Sequence, residues 1–223
     1  MARVALAKLA ITENKTMKII LASDISFLLK YGYDLTGIPK NQMKIGYVIT
    51  ASKGARTNVN QKYRTALKNE GYPIEEIDIE GKSQEELKKF FEDKNIIQVE
   101  GGNSFYLLRA IRATGFDKII KELIDAGKIY IGMSAGSYVM CPSIEVSDWN
   151  KDGRDRFGVT DFTALNYVPF ILKVHYTDEM KSLVKEKMAT LKCPLRILRD
   201  GQGILVEDDK YTFFGDEEET KLL

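Results

Sequence analysis

Short apolar runs alternate with longer amphipathic stretches along most of this chain. Lys18–Ala22, Lys44–Thr50, Ile74–Ile79, Asn95–Val99 and Lys128–Ile131 are brief and rich in β-favouring residues, the pattern of buried parallel strands. Stretches with helical spacing lie between most of them. Asn58–Glu70 sets Val59, Tyr63, Ala66 and Leu67 on one face. Gln84–Glu92 follows Ser83, which with Glu86 makes the signature of a capping box. Ser104–Ala113 turns Phe105, Leu108 and Ile111 inward, and Phe116–Ala126 stops at Gly127, a C-cap signal. This rhythm predicts an α/β fold, a three-layer sandwich with a mostly parallel sheet between helices.

After Pro142 the rhythm changes. Ser147–Gly158 is polar and turn-rich, which predicts a long loop near any site at the strand ends. Phe170–Tyr176, Arg196–Leu198, Ile204–Glu207 and Lys210–Phe214 read as strands, Asp178–Leu191 as a helix and Asp208-Asp209 as a hairpin tip. No linker-like composition interrupts the core pattern, so residues 17–223 are expected to form a single domain. Residues 1–16 are basic and Ala/Leu-rich but lack an apolar region followed by a small-residue cleavage site. Met17 opens the first clean strand, so the preceding segment is read as an N-terminal extension or leader outside the fold.

Composition excludes several function classes. Among 223 residues, 33 Lys and Arg face 32 Asp and Glu, which leaves no electrostatic footprint for nucleic acid. No apolar run approaches the roughly 20 residues that cross a bilayer. Cys141 and Cys193 have no metal-ligand spacing. The expectation is a cytoplasmic protein, monomeric or homodimeric, that needs no metal or cofactor.

The chemistry concentrates in Lys128–Pro142, K-I-Y-I-G-M-S-A-G-S-Y-V-M-C-P. Ile129–Ile131 reads as a strand, and Ser137–Cys141 as a short helix ending near Pro142. Ser134 lies between them in a G-x-S-x-G pattern, the nucleophile elbow. So sharp a strand-to-helix turn needs residues without Cβ two positions before and after the serine. The hydroxyl then projects from a strand tip, and the Ala135 N–H faces the same space at a helix N-terminus.

A serine nucleophile needs a base, and the chain has one histidine, His175. It ends an apolar run, at the carboxyl end of a strand, where open α/β sheets build their sites. A third group should orient the imidazole; Asp148, Asp161, Asp200 and Glu207 are the candidates. Asp200 precedes Gly201 in the turn after Arg196–Leu198, which would bring it beside the histidine's strand. The order Ser134, His175, Asp200 differs from the Ser, acid, His order of α/β-hydrolases, which counts against an ordinary lipase or esterase. A second glycine cluster, Gly101-Gly102-Asn103-Ser104, follows another strand and opens a helix. Its N–H groups would supply a second oxyanion donor, while its spacing fits neither a phosphate nor a dinucleotide loop. Asn103 and Tyr176, beside these groups, are candidate substrate contacts.

Three blocks together resemble the peptidase S51 family: Gly101-Gly102-Asn103-Ser104-Phe105, Gly132-Met133-Ser134-Ala135-Gly136-Ser137, and Phe162-Thr163-Ala164-Leu165-Asn166 leading to Pro169 and His175. The similarity runs from about Met17 to the end. The family contains α-aspartyl dipeptidases and cyanophycinase, and its fold is a class I glutamine-amidotransferase-like sandwich. The resemblance implies Ser134 as nucleophile, His175 as general base, and Gly102 and Ala135 as oxyanion-hole donors. The third triad position falls near Asp200, with Asp148 as the alternative. One departure bears on specificity. The family's aspartyl dipeptidases carry an Arg after the histidine for the substrate's aspartate; here Tyr176-Thr177-Asp178-Glu179-Met180-Lys181 has none. Lys181, Lys185, Arg154 and Arg156 are the cations that would replace it. The expected activity is serine-type hydrolysis of dipeptides or short peptides, Asp-X among them. A silent binding protein and a small-molecule amidase or esterase on the same fold are the rival readings. An amidotransferase is disfavoured because the elbow holds serine where that chemistry uses cysteine.

Overall fold

A computed structural model describes residues 16–55, 59–149 and 155–222. The N-terminal extension read from the sequence, Asn58 and Arg154 lie outside the described residues, except that Thr16 is included. The elements run β1 (Lys18–Ala22), α1 (Ile25–Phe27), β2 (Ile45–Val48), α2 (Thr50–Lys53), α3 (Val59–Asn69), β3 (Ile74–Ile77), α4 (Gln84–Phe91), β4 (Ile96–Val99), α5 (Ser104–Thr114), α6 (Phe116–Asp125), β5 (Ile129–Met133), α7 (Ala135–Tyr138), β6 (Ile171–Lys173), α8 (Lys181–Met188), β7 (Leu195–Ile197), β8 (Gly203–Glu207) and β9 (Lys210–Phe214). Helix α1 continues into a single π-helical turn, Leu28–Gly32.

Seven strands form one sheet in the order β3-β2-β4-β5-β1-β8-β9. The first five are parallel; β8 and β9 add an antiparallel edge through a hairpin turning at Asp208-Asp209. Parallel strands bury both faces, and side chains alternate between them along each strand. Ile19, Leu21, Ile97, Val99 and Tyr130 pack on one face against α4 to α7 through Leu87, Phe105, Leu108 and Ile119. Ile20, Ala22, Ile45, Tyr47 and Ile131 pack on the other against Phe27, Leu28, Tyr33 and Leu67. The result is the three-layer α/β architecture that the alternating pattern predicts.

The last part of the chain adds a separate two-stranded parallel sheet, β6 with β7. Its residues Ile171, Leu172 and Val174 join the first of those two cores. Several element ends shift from their sequence boundaries. Phe170–Tyr176 pairs only over Ile171–Lys173, because the backbone at His175 turns to a positive φ of 54°. Asp178–Leu191 splits into a 3₁₀ turn, Asp178–Met180, and the shorter α8. The elbow helix begins at Ala135, not Ser137, directly after the serine.

That helix can start so abruptly because α7 lies against the end of β4. A Cβ on Gly136 would overlap the Val99 carbonyl oxygen, so only glycine fits this approach. Gly136→Ala is therefore expected to lower the unfolding free energy by about 1–3 kcal/mol, the range for overpacking a tight contact. Urea denaturation measures it, and an unchanged midpoint and slope would contradict the packing described.

Candidate active site

Strand register brings the site together. Ala22 pairs with Met133 and Val99 with Gly132. One residue further along, Ser23 and Ser134 stand side by side at the ends of β1 and β5. Two residues beyond Val99, Gly101 faces Ser134; a Cβ built on Gly101 would lie 3.1 Å from the serine Cβ. In the small sheet Lys173 pairs with Ile197, and His175 and Asp200 follow just beyond those partners. All these groups sit at the carboxyl ends of parallel strands, where an open α/β sheet leaves its crevice.

Ser134 is buried and adopts φ 51° and ψ −105°. A non-glycine residue held there is strained, and the surrounding bonds enforce it. Its N–H donates to the Ala22 carbonyl at 3.0 Å, and Ser137 Oγ lies 2.8 Å from that same oxygen and 2.9 Å from the Gly132 carbonyl. The elbow is thus tied to the end of β1.

His175 lies between two partners. Its Nε2 is 2.9 Å from Ser134 Oγ and its Nδ1 is 2.6 Å from Asp200 Oδ1. The hydrogen bond to the imidazole holds the Asp200 carboxyl below its ordinary range, against the opposing effect of burial. An ionised carboxylate only accepts, so Nδ1 carries the proton of neutral His175 and Nε2 presents a lone pair to the serine hydroxyl.

Ser23 was not singled out from the sequence, yet it joins the two arms of this line. Fully buried, its Oγ donates to Asp200 Oδ1 at 3.0 Å and accepts from the His175 N–H at 3.1 Å. Its own N–H donates to the Gln202 carbonyl at 3.0 Å. Asp24 adds a second tie, accepting from the Gly201 N–H at 2.9 Å. The signal available was position alone: both residues directly follow β1, at the strand end that faces the elbow.

The other acidic candidates are engaged elsewhere. Asp148 Oδ1 accepts from Arg156 Nε at 2.9 Å, Asp161 pairs with Arg112, and Glu207 pairs with Lys18. Asp148, the alternative third member, thus meets the arginine eight residues on, while Asp200 meets the imidazole. The two candidate substrate contacts, Asn103 and Tyr176, also make contacts within the fold. Asn103 is buried, its side-chain oxygen caps α5 by accepting from the Phe105 and Tyr106 N–H groups, and its Nδ2 donates to the Asp155 carbonyl at 2.9 Å. Tyr176 is buried with Val184 and Ile197, its ring beneath the Arg199 guanidinium.

Gly102 has φ 139°, and a Cβ there would overlap the Ala51 carbonyl. The chain can make this turn beside Ser134 only with glycine. Across the elbow, Ala135 heads α7, and the Ser137 and Tyr138 N–H groups donate to the Ser134 carbonyl at 2.9 and 3.0 Å. Among the described residues no cluster of three or more His, Cys, Asp or Glu side chains is arranged for a metal ion, and no helix is long and apolar enough to cross a membrane.

The model of Peptidase family S51 matches residues 29–214. The chain belongs to that family. As an S51 member it is a peptidase of the serine type. It is 31% identical to an uncharacterised peptidase of Pasteurella multocida over 198 residues, 86% of this chain and 94% of the relative. It is 29% identical to peptidase E of Shewanella amazonensis over 71% of this chain and 68% of that protein. The crystal structure of a peptidase E-like protein from Listeria monocytogenes superposes with a TM-score of 0.77 at 25% identity, covering 91% of this chain and all of that one.

One charged group beside this candidate S51 site is not part of the serine line. Glu100, fully buried between β4 and Gly101, meets Arg64 Nη1 at 2.8 and 3.1 Å. Burial pushes its carboxyl from the ordinary 4.5 up to about 6, against the pull of Ser52 and Arg64. The folded chain thus binds this proton more tightly than the unfolded chain does. Ionised Glu100 costs stability above pH 6, and that cost disappears as the pH falls through 6 toward 4.5. Relative to Glu100→Gln, the wild-type chain should gain about 2 kcal/mol of stability between about pH 7.5 and about pH 4. Denaturant titrations of both proteins across that range measure this; a pH-independent difference would contradict it.

Proposed function

We propose that Ser134, His175 and Asp200 form a catalytic triad that hydrolyses dipeptides or short peptides. The observation that carries this reading is the chain's single imidazole within hydrogen-bond distance of both the elbow serine and a carboxylate. Ser134 Oγ attacks the scissile carbonyl carbon while its proton passes to His175 Nε2. The Gly102 and Ala135 N–H groups stabilise the oxyanion that forms. The intermediate collapses, the C–N bond breaks, and His175 returns the proton to the departing amine. Water then attacks the acyl ester, again giving its proton to His175, and the acid leaves with Ser134 restored. Asp200 stays ionised throughout and fixes the imidazole tautomer, with Ser23 steadying its carboxylate.

The relatives named peptidase E support dipeptides as the substrate class, and a library that includes Asp-X members ranks the side chains. With Arg156 paired to Asp148, Lys181 at the start of α8 is the cation proposed to meet an acidic side chain. We further propose residues 17–223 as one domain, a cytoplasmic location, and a monomer or homodimer.

Ser134→Ala and His175→Ala should each abolish hydrolysis of the best library dipeptide while leaving the circular dichroism spectrum intact. Asp200→Asn should lower kcat by about 10²–10⁴-fold through the wrong tautomer. Wild-type turnover in any of the three would refute the triad.

A further inference from the structure

We propose that Asn60 is a positioning residue whose side-chain amide holds the Gly101–Gly102 peptide so that its N–H points at the developing oxyanion. This deepens the oxyanion-hole reading and rests on it.

Asn60 lies on α3 and is buried although polar. Its Nδ2 donates to the Gly101 carbonyl at 2.7 Å. That carbonyl and the Gly102 N–H are the two ends of one planar peptide and point in opposite directions, since the chain has no cis peptide among its described residues. Fixing the oxygen fixes the direction of the N–H. The need for such a brace follows from the two glycines. Rotating a peptide plane changes ψ of the residue before it and φ of the residue after it, and glycine on both sides removes the Cβ clashes that would resist.

The neighbouring backbone is anchored on either side. Glu100 N–H donates to the Val48 carbonyl at 3.2 Å and Asn103 N–H to the Ala51 carbonyl at 2.9 Å. Arg64, one helical turn after Asn60 and on the same face of α3, holds the Glu100 carboxylate. Two side chains of one helix thus grip consecutive residues of the loop, Arg64 through a side chain and Asn60 through the backbone oxygen itself. A buried amide costs stability unless its hydrogen bonds are made, so Asn60 is matched to this carbonyl rather than placed there for packing.

The test is the rate at which a fluorophosphonate phosphonylates Ser134, because its P=O oxygen needs the same donors as a peptide oxyanion. Asn60→Ala removes the brace. Asn60→Asp keeps the side-chain shape but has no N–H to donate, and it carries the test where the alanine variant does not fold. Both should react about ten- to hundredfold more slowly than wild type, with kcat on an aminoacyl 4-nitroanilide falling in parallel and KM changing less than about threefold. A folded variant that is phosphonylated at the wild-type rate, or that changes only KM, overturns the positioning role. Absence of Ser134 labelling in the wild-type protein overturns the triad reading, and this proposal with it.

Discussion

Two hydrogen bonds to a single imidazole hold the candidate site of this S51 peptidase together. Asp200 fixes one ring nitrogen and Ser134 meets the other, so every group around them must bring three distant parts of the chain into line. The fold meets that demand by register. β1 and β5 lie adjacent and end at the same level, which sets Ser23 beside Ser134. The small sheet of β6 and β7 delivers His175 and Asp200 from the other side. Ser23 then bridges the two halves, one hydroxyl serving the Asp200 carboxylate and the His175 backbone together. The strained φ of both Ser134 and His175 is sustained by these bonds.

Two carboxylates flank this arrangement and are driven in opposite directions. Asp200 accepts from an imidazole and a hydroxyl, and it stays ionised. Glu100 is enclosed beneath the glycine loop, where lost hydration outweighs the attraction of Arg64. The difference matches their places. In the proposed triad a charged Asp200 sets the tautomer of His175, whereas Glu100 ties the loop to α3 and has no contact with the imidazole among the described hydrogen bonds.

Much of this was legible in the sequence because it depends on local chemistry. The G-x-S-x-G turn announces itself through the glycines its geometry requires, and a lone histidine at a strand end has few rivals for the role of base. Asp200 could be favoured because it follows a strand adjacent in order to that of His175. What remained hidden depends on partners far apart in the chain. Ser23 is an ordinary serine until β1 and β5 are paired, and Asn60 is one polar residue on an amphipathic helix until α3 is laid against the glycine loop. The structural contacts of Asn103 and Tyr176 were hidden for the same reason, since nearness in sequence to a site residue does not show that one side chain caps a helix and the other is buried beneath Arg199. Asp148 stayed an alternative because its arginine partner lies in a segment without periodic structure.

The tautomer of His175 tests the central claim most directly, and a chain with one histidine gives it a single set of ring resonances. Nitrogen-15 NMR of the histidine-labelled protein, taken where the imidazole is neutral, should show the proton on Nδ1 and a bare Nε2 facing the serine. The Nδ1 proton should resonate far downfield, and Asp200→Asn should remove that signal. A neutral ring protonated at Nε2 would contradict the account, because such an imidazole has no lone pair with which to take the serine's proton.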